Sequence, residues 1–169
     1  MSAISIGVNI AVYPITYVSN EILNSLIRIV DKRGLGLDYI NHNKTTIADG
    51  LFTWLGTRHL EKVVLEVYDS GRDGVLERYD MSFEYSSVVP STSDSVFETN
   101  LKKLEEFLEK LPSLPLDANY RVVVVLGDGA PDVPGWSPTS LRSVDHLKNQ
   151  KLGGFIRADY IGAAMEYWG

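Results

Sequence analysis

Two spacings of apolar residues divide this chain into elements. Val18, Ile22, Leu26 and Ile29 recur every three or four positions, and Leu23, Ile27 and Val30 form a neighbouring stripe. This wide apolar face predicts a central buried helix. Ser19 or Asn20 is its candidate cap, and Gly34, after Lys32 and Arg33, its stop. Ile47, Leu51 and Trp54 repeat the spacing more weakly over residues 43–54, with Gly50 inside and Gly56 after. The period then falls to two. Val63, Leu65 and Val67 alternate with polar neighbours over residues 60–69. Val75, Tyr79, Met81, Phe83 and Tyr85 do so over residues 75–86. Ser70 to Gly74 joins the runs, and its Asp73-Gly74 step is a turn signal, so a β-hairpin is expected. Phe97, Leu101, Leu104, Leu108 and Leu111 return to helical spacing and predict a helix over residues 93–111. Ser95 and Glu98 stand at capping-box spacing and Pro112 ends the run. Residues 120–126 are continuously apolar and β-branched, which predicts a strand buried on both faces. At the start, Ile4, Ile6, Val8, Ile10 and Val12 share one parity, predicting a short extended strand or arm over residues 1–14.

The last quarter is the least regular part. Residues 127–138 are punctuated by Gly and Pro, and the segment beyond carries Trp136, Leu141, Leu147, Phe155, Tyr160, Met165, Tyr167 and Trp168. A disordered tail is poor in such residues. Gly153, Gly154 and Gly162 loosen the same backbone. A sticky, jointed terminal segment is a candidate moving part. The order of elements is that of an α+β fold, helices on an antiparallel sheet.

Composition narrows the function classes. The 169 residues suit one domain, and a chain of this size buries about 70% of its unfolded surface. Hydrophobic residues are 44% and charged residues 22%, as in soluble globular proteins. A net charge of -6 disfavours direct nucleic-acid binding. With no cysteine, disulfides and thiolate metal sites are excluded. Neither a signal peptide nor a membrane span is expected, so the reading is cytoplasmic.

Candidate chemistry is sparse. His42, His59 and His146 lack partners at metal-ligand spacing. Ser143, Asp145 and His146 carry the letters of a triad, yet residues this close in sequence rarely meet as nucleophile, base and orienter. Asp69, Arg72 and Asp73 lack the alternating oxygens of a calcium loop. Gly127 and Gly129 follow a strand, but Pro131 and Pro134 break the helix a phosphate loop needs. Trp136, Tyr160, Tyr167 and Trp168 could stack bases, though the acidic balance favours packing of the tail on the core. No catalytic, metal or cofactor site is expected. A binding module remains, with a sheet edge and an aromatic-rich mobile end.

Three groups of residues resemble one family. They are Thr16-Tyr17-Val18-Ser19-Asn20-Glu21-Ile22-Leu23, then Thr53-Trp54-Leu55-Gly56-Thr57 running into residues 60–68. The third is Asp132-Val133-Pro134-Gly135-Trp136-Ser137 with Ser140 to Asp145 and Ala164-Met165-Glu166-Tyr167-Trp168. In order and spacing these resemble the bacterial HORMA-domain proteins of CBASS anti-phage operons. The resemblance spans nearly the whole chain. It implies a single HORMA domain: an N-terminal arm over residues 1–14, a core of three helices on the sheet over 15–126, and a C-terminal safety belt over 127–169.

It further implies a non-enzymatic switch. A closure-motif peptide would add as a strand to the edge at residues 120–126, the strand at 75–85 would receive the belt, and residues 127–138 would be the hinge. The implied peptide-binding residues are Tyr120, Val122, Val124, Leu126, Trp136, Phe155, Tyr160 and Trp168. The closed, peptide-bound form would bind and activate a cyclic-oligonucleotide synthase (CD-NTase), and an AAA+ remodelling ATPase would reopen it. In some such operons a second HORMA protein is a partner. No closure motif of its own is read after Trp168-Gly169. The N-terminal arm has two readings, an edge strand or a handle for the remodeller. The alternative function is an enzyme subunit or small-ligand domain with a C-terminal lid.

Overall fold

A computed structural model describes residues 2–71, 74–86 and 97–169, with residues 2–12 described by their backbone alone. In chain order the elements are helices α1 (Ser2–Lys32), α2 (Asp38–His42) and α3 (Lys44–Gly56), and strands β1 (Leu60–Asp69), β2 (Val75–Tyr85) and β3 (Phe97–Thr99). Helix α4 (Lys102–Glu109) and strands β4 (Ala118–Leu126), β5 (Asn149–Ala158) and β6 (Ile161–Trp168) follow. The strands form one sheet in the order β3-β5-β6-β2-β1-β4, every described pair antiparallel. The fold is therefore α+β, as its periodicities require.

The alternation in β1 and β2 sets the layers. Val63, Leu65 and Val67 pair with Met81, Tyr79 and Glu77, so these residues share the face that meets the helices. There the α1 stripe Val18, Ile22, Leu26 and Ile29 is wholly buried. Each such side chain contributes about 1.5–3 kcal/mol when taken from water. Trp54 and Leu51 of α3 complete this core with Met165 and Tyr167 of β6. Strand β6 pairs along β2 from Ile161 to Trp168, so the C-terminal segment occupies the middle of the sheet.

Four expectations are corrected. The parity of Ile4 to Val12 suggested an extended arm, but residues from Ser2 onward belong to α1, which passes through Pro14. The same run also fits a helix: Ile4, Val8, Ala11, Ile15, Val18 and Ile22 step by four and three. Beyond its first turn, and apart from the break at Pro14, a helix pairs its backbone groups locally, whereas an isolated arm does not. The long helix over 93–111 is shorter. Helix α4 starts at Lys102, and Glu98 lies in β3, paired with Arg157. Ser95, its proposed cap, lies outside the described residues. Phe97 leaves the leucine stripe to stand edge-on to Tyr17, with ring centroids 5.2 Å apart. Leu104 and Leu108 stay in the core, and Arg28 pairs with Glu105 to bind α1 to α4. Residues 120–126 do form a strand, but one at the sheet edge. Tyr120 and Val123 are buried while Val122, Val124, Val125 and Leu126 are only partly covered. The tail, which showed no clear period, is a hairpin. Register shifts beside Gly153 and Gly154 break its alternation.

Candidate functional site

Strand β4 is bonded to β1 on one side and to no described strand on the other. Such an edge presents unpaired N–H and C=O groups to whatever approaches. The chain leaving β4 returns to roof it. Gly127 N–H donates to the His59 carbonyl, fixing the exit. Trp54 Nε1–H then donates to the Pro131 carbonyl at 2.8 Å, and Trp136 Nε1–H to the Thr46 carbonyl at 3.1 Å. The two indoles meet edge to face, 5.2 Å apart.

Glycine makes this seat possible. A Cβ on Gly50 would lie 2.7 Å from Trp136 Nε1 and 2.8 Å from Trp54. Gly135 takes φ +92 against Thr46, where a Cβ would come within 2.7 Å of the threonine methyl. The roof and the strand enclose a groove of about 330 Å³. Val122, Val123, Val124 and Leu126 line one wall, Trp54, Val133 and Trp136 the other. Residues of both parities on β4 line it, so it follows the strand's edge rather than one face. Asp132 is the one ionisable residue in its lining.

Beyond Trp136 the chain rounds the β4 edge to the outer face of the sheet. Arg121 on β4 donates to Thr139 Oγ1 at 3.0 Å and to the Ser140 carbonyl at 2.7 Å. Glu66 on β1, wholly buried, accepts from Arg121 Nε at 2.9 Å, from the Arg142 amide at 3.2 Å and from Arg142 Nη1 at 2.6 Å. Burial alone would raise the Glu66 carboxyl, but these hydrogen bonds outweigh it and hold it below the ordinary carboxylate range. The Arg142 guanidinium also covers the Tyr68 ring at 4.1 Å. His146 Nε2 lies 2.8 Å from the Val75 carbonyl, and Lys148 and Gly169 exchange backbone hydrogen bonds.

A second buried carboxylate fastens β6 on the helix side. Glu77 accepts from Arg33 Nε at 2.7 Å, from the Tyr79 hydroxyl at 3.0 Å and from the Tyr167 hydroxyl at 2.9 Å. Burial raises the Tyr79 and Tyr167 phenols well above their usual value, and the Glu77 charge adds to it. Arg33, which burial would lower, is raised on balance by Glu77. One carboxylate thus joins the turn after α1 to β2 and β6.

Of the residues named from sequence, the structure brings Val122, Val124, Leu126 and Trp136 together around the groove. Tyr120 sits on the same strand but turns its hydroxyl inward, donating to the Gly36 carbonyl at 2.7 Å. Phe155 is core packing in β5. Tyr160 occupies the β5–β6 turn at φ 70. Trp168, on β6, lies beneath Arg78 at 5.4 Å. These three stand across β1 and β2 from the groove. Trp54, Gly50, Glu66 and Arg142 were missed. By periodicity Trp54 is a helix-face residue and Glu66 a polar position opposite the β1 core face, and although both lie in stretches that carry the family likeness, neither is among the peptide-binding residues it implies. Among the described residues there is no group of three His, Cys, Asp or Glu placed to hold a metal ion. Nor is any described helix long and apolar enough to cross a membrane.

The fold is shared with proteins of known structure. A chain of the mitotic checkpoint complex superposes with a TM-score of 0.74 at 13% identity, covering 89% of this chain and 95% of that one. C. elegans HTP-2 bound to an HTP-3 motif gives 0.70 at 13% identity, covering 89% and 88%. The E. coli MS115-1 CdnC:HORMA-deltaN complex contains a chain at 0.54 and 11% identity, covering 90% and 85%. At these identities the likeness bears on the fold alone. No curated protein sequence matches significantly. The family model described as Bacterial HORMA domain 2 matches residues 2–169, and the chain belongs to that family.

Proposed function

We propose that the chain is a peptide-binding switch rather than a catalyst, and that its ligand adds as an extended strand to the free edge of β4. The observation that carries this reading is the groove between β4 and its roof. It offers backbone groups along one wall and apolar side chains along the other. Main-chain hydrogen bonds would supply affinity, and alternate side chains of the ligand would reach Trp54, Val133 and Trp136. Pairing of β6 with β2 supports reading residues 127–169 as a belt in its ligand-enclosing arrangement. The C. elegans relatives were solved with closure motifs bound, which supports a ligand of that class here.

The bound, closed form would engage and activate a CD-NTase, a role that the E. coli CdnC complex supports by likeness. An AAA+ remodeller would reopen it, and the setting would be anti-phage signalling. The lid-covered enzyme reading has less support, because the groove's lining is apolar apart from Asp132 and a few polar side chains.

The test is selection of peptides from a random display library on the full chain, followed by calorimetry. Val124→Asp, at a half-buried groove position, should abolish binding and leave the fold intact by circular dichroism. Selection of no peptide, or unchanged binding by the variant, overturns the reading. Co-purification with a CD-NTase of the CdnC class, with and without the selected peptide, tests the signalling step.

A further inference from the structure

The belt is held by two fastenings of different strength. Strands β5 and β6 pair with each other, and β6 pairs with β2 over its whole length. Tyr167 adds its bond to buried Glu77. The stretch from Ser137 to Lys148 is different: none of its residues is buried. A segment with little packing opens at low cost unless specific bonds hold it. Its most buried partner is Glu66, whose carboxylate takes both the amide and the guanidinium of Arg142. Arg121, held by the same carboxylate, reaches on to Thr139 and Ser140. One carboxylate therefore ties down the crossing on both sides of the β4 edge.

The two ends of this stretch are fixed independently. Trp136 sits in its α3 seat, and Asn149 is paired with Trp168. The residues between them could span roughly 40 Å if extended, so the stretch can swing clear without unpairing a strand. We propose that Glu66 is a positioning residue that latches residues 137–148 across the β4 edge. Release of this latch alone, with β5 and β6 still paired, admits an extended peptide sideways. The inference rests on the peptide-binding reading and adds a consequence. A site that opens sideways needs no free peptide end, so it accepts an internal segment of a larger protein.

Hydrogen exchange on the full chain without peptide tests the latch. Glu66→Gln and Arg142→Gln should each accelerate exchange at residues 137–148 roughly tenfold or more, the loss expected for a hydrogen bond to a buried charge. Exchange in β5 and β6 should stay at the wild-type rate. The double variant should add little to either single one, because the two groups form one latch. Arg142 lies on the loop with its side chain 26% exposed, so its variant serves if Glu66→Gln fails to fold. Equal acceleration in β5–β6, or none at 137–148, overturns the latch.

Sideways admission is tested with a library-selected peptide placed between two folded domains. It should bind the wild type, and Arg142→Gln should speed both association and dissociation. Failure of the embedded segment where the free peptide binds overturns this part. If no peptide can be selected while the exchange result holds, the latch stands and the peptide reading falls.

Discussion

Replacing Tyr167 by Phe removes one hydroxyl and keeps the ring that packs 5.2 Å from Tyr79 and 4.8 Å from Phe107. The hydroxyl donates to Glu77, which is 3% exposed. A hydrogen bond to a buried charged group contributes about 1.5–3 kcal/mol. Glu77 keeps Arg33 and Tyr79 after the change, so the lower part of that range applies, about 1.5–2 kcal/mol. For a chain of this size that lowers Tm by roughly 3–8 °C. Tyr79→Phe is the matched control, because it removes a second hydroxyl from the same carboxylate. Both variants should lose similar stability in urea titration. Only Tyr167 belongs to the C-terminal hairpin, so only Tyr167→Phe should selectively speed amide exchange in β5 and β6. A loss below about 0.5 kcal/mol, the scale of neutral surface changes, would contradict the Glu77 bond. Equal acceleration by the two variants would contradict the assignment of Tyr167 as a fastening of that hairpin.

Other outcomes follow from the same contacts. Leu104→Ala should cost about 2–5 kcal/mol in denaturant titration, because Leu104 is 3% exposed beneath α4. Gly50→Ala, which inside a helix would ordinarily stabilise by about 0.5–1 kcal/mol, should destabilise here and blue- or red-shift tryptophan fluorescence as Trp136 leaves its seat. A lowered carboxyl stabilises above its unfolded-state pKa and loses that contribution as pH falls through the folded value. Protection of the amides at residues 137–148, measured against their intrinsic exchange rates, should therefore fall as pH drops below the ordinary carboxylate range in the wild type and change less in Glu66→Gln. Truncation after Leu126 should strip β6 from β2, leaving a long second edge, and give aggregation visible by light scattering.

Much of the fold is legible because local period and final environment agree. The β1–β2 hairpin is an example: alternation, a turn signal and burial of Val63, Leu65 and Val67 all point the same way. Where long-range pairing decides, local pattern misleads. Phe97 fits the leucine stripe of α4, yet residues 97–99 form a strand because β5 lies alongside. The residues of β5 and β6 lose their alternation at the shifts beside Gly153 and Gly154, so the tail shows no period until its partners are known. Val122, Val124 and Leu126 could be placed at the groove through the family likeness. Glu66 could not, since on β1 it is one more polar residue opposite a core position. Its burial comes from the segment around Arg142, which crosses it 76 residues later. Gly50 likewise read as a weak point in a helix, and only the seated Trp136 gives it a role.

The central claim is that the free edge of β4 captures an extended peptide beneath the belt. Hydrogen exchange of the full chain with and without a library-selected peptide tests it most directly. The account predicts new protection at the outward-facing amides of residues 120–126 and across residues 130–142, with β3 unchanged. Protection confined to β3 and β5, at the opposite edge of the sheet, would contradict it.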